Sequence, residues 1–121
     1  MYKQKIGKKG EEIASKYLEK NNYNILERNF RCLQGEIDII AYDKQNKYLV
    51  FFEVKTRTNF KYGFPGDAVD SNKRRHILSS VKYYLYSRKL ENALVRIDVL
   101  EVILLNGKWR LRHLRDVISE G

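Results

Sequence analysis

The chain has 121 residues, with 24 Lys and Arg against 15 Asp and Glu, a net charge of +9, one cysteine and two histidines. That length suits one domain around one core, and no apolar run approaches the roughly 18 residues a membrane span needs. Cys32 permits no internal disulfide, His76 and His113 are too few for a Cys/His zinc site, and no signal-peptide apolar region follows the lysine-rich start, so a cytoplasmic protein is expected.

Ile13, Ala14, Tyr17 and Leu18 recur at helical spacing and predict a helix from about Lys8 to Asn21, with Asn22 as a left-handed cap. Strands follow at about Tyr23 to Arg31, Glu36 to Tyr42 and Tyr48 to Thr56, separated by short polar turns that favour antiparallel neighbours. Asn59 to Gly66 reads as a loop, and its mixture of aromatic, basic and turn residues from Lys61 to Gly66 suits a flap touching substrate or a packed surface loop. Asp70 or Ser71 caps a second helix, with Ile77, Val81, Tyr84 and Leu85 on one side and Lys73, Arg74 and Lys82 on the other, ending near Arg88. Two closing strands, about Leu94 to Leu104 and Lys108 to Leu114, turn at Asn106-Gly107, a strong hairpin signal.

The stretch from Gly35 to Arg57, GEIDIIAYDKQNKYLVFFEVKTR, sets acidic residues and a lysine inside strongly apolar runs. Strand alternation puts Glu36, Asp38 and Ile40 on one face, and Leu49, Phe51, Glu53 and Lys55 on one face of the next strand. An antiparallel hairpin through Asp43 to Lys47 then brings Asp38 beside Glu53 and Lys55. Two readings fit: a cross-strand ion pair, or a site in which two carboxylates hold a hard cation such as Mg²⁺ while Lys55 orients water or balances phosphate charge. Both faces of Tyr48 to Val54 are otherwise apolar, as in a central strand covered on both sides, and burying an unpaired carboxylate there is costly.

The remaining surface is strongly basic. Lys3 to Lys9, Lys73 to His76 and Lys108 to Arg115 form clusters of the kind that bind a phosphate backbone, so nucleic acid is the expected partner.

Gly7-Lys8-Lys9-Gly10-Glu11-Glu12 with Ala14 and Leu18, Arg28-Asn29 with Arg31, GEIDIIA, FFEVKTR, the Gly63 to Val69 loop with Lys73, and Arg96-Ile97-Asp98-Val99 together resemble the YraN family over nearly the whole chain. That family is similar to the restriction-endonuclease-like nucleases and, within them, to archaeal Holliday-junction resolvases. The predicted elements run α-β-β-β-α-β-β, and the resemblance, to nucleases with an α-β-β-β-α-β core, implies an α/β fold with a mixed central sheet flanked by helices. It further implies Asp38 and Glu53 as ligands of Mg²⁺ or Mn²⁺, Lys55 as the water-orienting lysine, Glu11 as an accessory acid, and products with 5′ phosphates. Arg31, Arg57, Lys73 and Arg74 are the candidate phosphate contacts. Glu36 and Asp98 are either structural or supports for the site. Asn22 stands where a glycine is usual in the family, and Asp70-Ser71 where a threonine cap is usual; neither touches the chemistry. The expected function is metal-dependent nuclease, on DNA before RNA and including branched or junction DNA, as a homodimer if it cuts two strands as resolvases do. The alternatives are a nucleic-acid-binding module that kept the fold without the activity, and a small basic ribosome-associated or structural protein.

Overall fold

The structure, a computed structural model, describes residues 2–58 and 71–118. Its elements follow the predicted order: α1 (Tyr2–Lys20), β1 (Tyr23–Cys32), β2 (Gly35–Asp43), β3 (Tyr48–Arg57), α2 (Ser71–Ser87), β4 (Val95–Leu105) and β5 (Lys108–Leu114). The predicted loop and flap at Asn59 to Gly66, and the Asp70 cap, lie outside the described residues. Helix α1 begins six residues before the expected Lys8 and runs through Gly7, because no proline stands between Tyr2 and Lys8 and a helix anchored downstream tolerates one glycine. Asn22, with φ of 67°, ends it in the left-handed conformation expected of a cap.

The five strands lie in sequence order, β1-β2-β3-β4-β5. All neighbours are antiparallel except β3 and β4, which run parallel. A parallel pair needs a crossover, and α2 supplies it. The result is the mixed sheet flanked by helices of a restriction-endonuclease-like core. Alternation along β3 feeds two cores. Leu49 and Phe51 pack with Ile77, Val81 and Tyr84 of α2, while Val50 and Phe52 pack with Ala14 and Leu18 of α1. Strand β3 is thus the covered central strand that its apolar run predicts. Asn106 and Gly107 both have positive φ, 50° and 75°, as a two-residue type I′ hairpin requires.

At Gly10, α1 lies close against β3. A Cβ added there would overlap the side chain of Thr56, so the missing side chain is what lets the helix lie down on the strand beside Lys55 and Arg57.

On the α1 side of the sheet, polar groups interrupt the core. Asp98 is fully buried and accepts bonds from Arg96 Nε at 3.0 Å and Nη2 at 3.0 Å, and from the Asp116 N–H at 2.9 Å. Its Oδ2 lies 2.7 Å from His113 Nε2, and His113 Nδ1 lies 2.8 Å from the Tyr17 hydroxyl. Arg96 also donates to Asp43 at 3.1 Å and to Tyr23 Oη at 2.6 Å. Burial pushes the Asp98 carboxyl up, but the bonds from His113, Arg96 and the Asp116 amide outweigh it and hold it below the usual range. This cluster pins α1, β1, β2, β4 and β5 together. Among the described residues no helix is long and apolar enough to cross a membrane.

Candidate metal and phosphate site

The β2–β3 ladder runs from Asp43–Tyr48 to Ile39–Phe52. Beyond it the Val54 N–H donates to Asp38 Oδ2 at 2.7 Å, while β3 keeps pairing with β4 as far as Arg57–Ile103. The carboxylate of Asp38 therefore sits at the fork where β3 leaves β2. The expected alternation Glu36, Asp38, Ile40 does not hold. Ile37 and Ile40 both enter the α2-side core, so the strand changes face between them. On β1, Asn29 lies between the Arg28–Ile39 and Phe30–Ile37 pairs with φ of 55°, and a bulge interrupts the β1–β2 register between Ile25 and Glu27.

Burial pushes the Asp38 carboxyl up to about 7. The negative charge of Glu53 adds to this, and Glu11 and Glu36 contribute less, against the lowering effect of the Val54 amide. The structure thus brings Asp38, Glu53 and Glu11 into one field. Glu11 also lies 3.9 Å from Arg28, which holds it on the α1 side.

Glu53 is 9 % exposed, and its Oε1 is shared by two ammonium groups, Lys73 from α2 and Lys55 at 3.6 Å. The two lysines diverge. Burial lowers Lys55, and the neighbouring Lys73 lowers it further than Glu53 raises it. Burial also opposes charge on Lys73, but the bond to Glu53, joined by the contact with Lys55 and the charges of Glu53 and Asp38, outweighs it and leaves Lys73 above its ordinary value. Lys73 is therefore the committed counter-ion of Glu53, and Lys55 is the ammonium closer to giving up its proton. From the hairpin alone, repulsion from Asp38 looks like the main force on Glu53. Its two lysines change that, because the charge is compensated.

A cleft of about 410 Å³ opens beside this cluster, lined by Gly35, Glu36, Glu53, Asn72, Lys73, His76 and Ile77. A larger cavity of about 520 Å³ lies along α2 between Leu78 and Leu85, walled by Ala93, Val95, Ile97 and Ile118, and touches none of these groups. Arg74 is exposed on α2. Arg57 lies 3.4 Å from the buried Glu101 on the same sheet face as Glu53 and Lys55. Arg31 is set apart from this group: exposed on edge strand β1, it pairs with Glu36 at 3.3 Å. Asp98 belongs to the α1-side cluster, across the sheet from Glu53, and so serves the fold.

Sequence reasoning missed Glu101. Its signal was available, an acid inside the apolar run VRIDVLEVILL, but placing it needed the parallel register that sets it opposite Lys55.

The model of the uncharacterised protein family UPF0102 matches residues 10–102. A UPF0102 protein of Clostridium acetobutylicum is 48% identical over 117 residues, covering 95% of this chain and 94% of the relative. One from Caldicellulosiruptor saccharolyticus is 44% identical over 104 residues, 86% of each chain, and one from Clostridium perfringens is 41% identical over 117 residues. By this match the chain belongs to the UPF0102 family, which is the YraN family that its GEIDIIA and FFEVKTR segments resemble.

Proposed function

We propose that the protein is a metal-dependent nuclease that hydrolyses phosphodiester bonds, with DNA the first expected substrate. One observation carries the reading: the Asp38 carboxyl, bonded to the Val54 N–H at the sheet fork, lies in the field of Glu53, which Lys55 and Lys73 flank, and burial first, then the charge of Glu53, raise it to about 7. Structural ion pairs are arranged to relieve charge, whereas this pair leaves one carboxyl in conflict. A divalent cation resolves it.

The donor set suits Mg²⁺ or Mn²⁺. Among the described residues no group of three or more His, Cys, Asp or Glu side chains is placed to hold a metal ion, so the two carboxylates would need water and phosphate oxygens to complete a shell. Mg²⁺ is ordinarily bound by one or two carboxylates, with water and phosphate oxygens completing its shell. Asp38 and Glu53 would hold it, with Glu11 nearby as an outer acid. When bound, such an ion neutralises phosphate charge and acidifies water. The chain's own groups do the rest. Lys55, with its proton loosened by burial and by Lys73, can hydrogen-bond the attacking water or a phosphate oxygen. Lys73 holds Glu53 in place, and together with Arg74 and Arg57 offers cations to the adjacent phosphates. Backbone contacts of this kind carry no sequence preference.

The non-catalytic binding module keeps one observation in its favour: Glu53 is already satisfied by two ammonium groups. The test is a panel of single-stranded, duplex, flap and four-way-junction DNA and their RNA counterparts, with Mg²⁺ or Mn²⁺. Metal-dependent cleavage of at least one substrate, leaving 5′ phosphates, supports the nuclease. Binding throughout with no cleavage supports the module.

A further inference from the structure

Past α2, the face of the sheet that carries Glu53 continues to β5. Trp109 and Leu111 pack into the α1-side core, and His113 reaches Asp98 there. Alternation therefore turns Lys108, Arg110 and Arg112 to the opposite face, the one bearing Glu53, Lys55 and Arg57. The register places Arg112 across from Glu101 and Arg110 across from Ile103, while Lys55 and Arg57 flank the same two residues from β3. Two rows thus cross the sheet: Lys55, Glu101, Arg112, and next to it Arg57, Ile103, Arg110, with Lys108 one step beyond.

Lys108, Arg110 and Arg112 are all exposed. Residues two apart on one strand face are about 7 Å apart, comparable to neighbouring phosphates along one nucleic-acid strand. Three cations in such a row repel one another, and the buried Glu101 is the acid that the register sets among them and Arg57. Arg57 adds a second sign. Its Nε is buried 3.4 Å from Glu101 Oε2 yet makes no hydrogen bond, so the guanidinium is held by charge with that donor unused.

We propose that Lys108, Arg110 and Arg112, with Arg57 on their inner side, form a phosphate track that grips the backbone of the strand delivered to Asp38 and Glu53. The track starts two strands from Glu53, about 10 Å across the sheet, so it holds nucleotides flanking the reacting phosphate. The identity of its ligand rests on the nuclease reading. Recognition is of the phosphodiester backbone and is independent of base sequence.

The experiment measures binding of labelled duplex and single-stranded DNA by fluorescence anisotropy across a salt series, without divalent metal, so that cleavage does not enter. The slope of log affinity against log salt should fall by about 2 to 3 in the triple variant Lys108→Ala, Arg110→Ala, Arg112→Ala, since each lost phosphate contact removes about 0.7 to 0.9. The fall should be equal for unrelated sequences. Arg110→Ala alone should lower it by about one, which keeps the test sharp if the triple variant folds poorly. As a control, Lys16→Ala with Lys20→Ala, exposed on α1 across the sheet, should leave the slope unchanged. Wild-type binding with no slope change in either β5 variant, or an equal change in the α1 control, overturns the track and leaves the nuclease reading standing. A wild-type protein that binds no nucleic acid at any salt overturns both.

Discussion

Replacing Asp38 with Asn tests whether the conflict at the sheet fork is real. The amide oxygen can still accept the Val54 N–H, so the fork keeps its bond and loses only the charge. The folded protein holds the Asp38 carboxyl near 7 against 3.8 unfolded. A carboxyl raised on folding is ionised only at a cost. That cost is absent below about pH 4, where both states are protonated, and builds as pH rises to about 7, above which it is complete. At about 1.4 kcal/mol per pKa unit, the ceiling is about 4 kcal/mol, a large part of a small domain's stability. Urea unfolding at pH 4, 5, 6, 7 and 8, without metal, gives the comparison. Asp38→Asn should match the wild type at pH 4 and exceed it increasingly toward pH 8, by about 2 to 4 kcal/mol. Groups distant from Asp38 act alike in both proteins and cancel in the difference, while Glu53 and Lys73, which share its field, belong to the effect measured. A difference that stays flat with pH, or an Asn variant that loses stability at pH 8, would refute the reasoning.

Glu53→Gln should cost about 1.5 to 3 kcal/mol by urea unfolding, because it strips a charged partner from Lys73 and Lys55; a neutral or stabilising result would show that the lysines do not depend on it. The same substitution should bring Asp38 down toward its ordinary value, which a carboxyl-resolved NMR titration would register. Asp98→Asn should destabilise by about 3 to 5 kcal/mol, since it leaves Arg96 and His113 short of their shared partner, and a loss under about 1 kcal/mol would contradict the buried cluster. The stabilising share of Asp98 is present above about pH 4 and lost as pH falls through its lowered folded value. Gly10→Ala should lower the thermal midpoint by forcing α1 away from β3, with partial rescue by Thr56→Ala; an unchanged midpoint would mean that the helix contact is not close.

Much of this architecture was legible in the sequence. Apolar and aromatic runs between polar turns located the strands, Asn106-Gly107 marked the last hairpin, and the apolar flanks of Glu53 identified β3 as central. What stayed hidden depended on pairing across the chain. Asn29 is of a type that takes the left-handed conformation readily, but inside a strand run nothing local shows that it does so opposite the face change near Asp38. Glu101 meets Arg57 only through the parallel β3–β4 register, which the crossover sets and strand composition does not. Lys73 stands in a basic cluster and reads as a phosphate contact. Its bond to Glu53 follows from where α2 begins relative to β3, and that placement is tertiary.

The central claim is that Asp38, Glu53 and Lys55 cut the strand they attract. The most direct measurement pairs single-turnover cleavage in Mg²⁺ or Mn²⁺ with metal-free binding, on the same DNA, for the wild type and Glu53→Gln. The account predicts metal-dependent cleavage by the wild type, loss of cleavage in the variant, and metal-free affinity that is retained or tighter. Cleavage that survives Glu53→Gln, or a wild type that binds every substrate and cuts none, would contradict it.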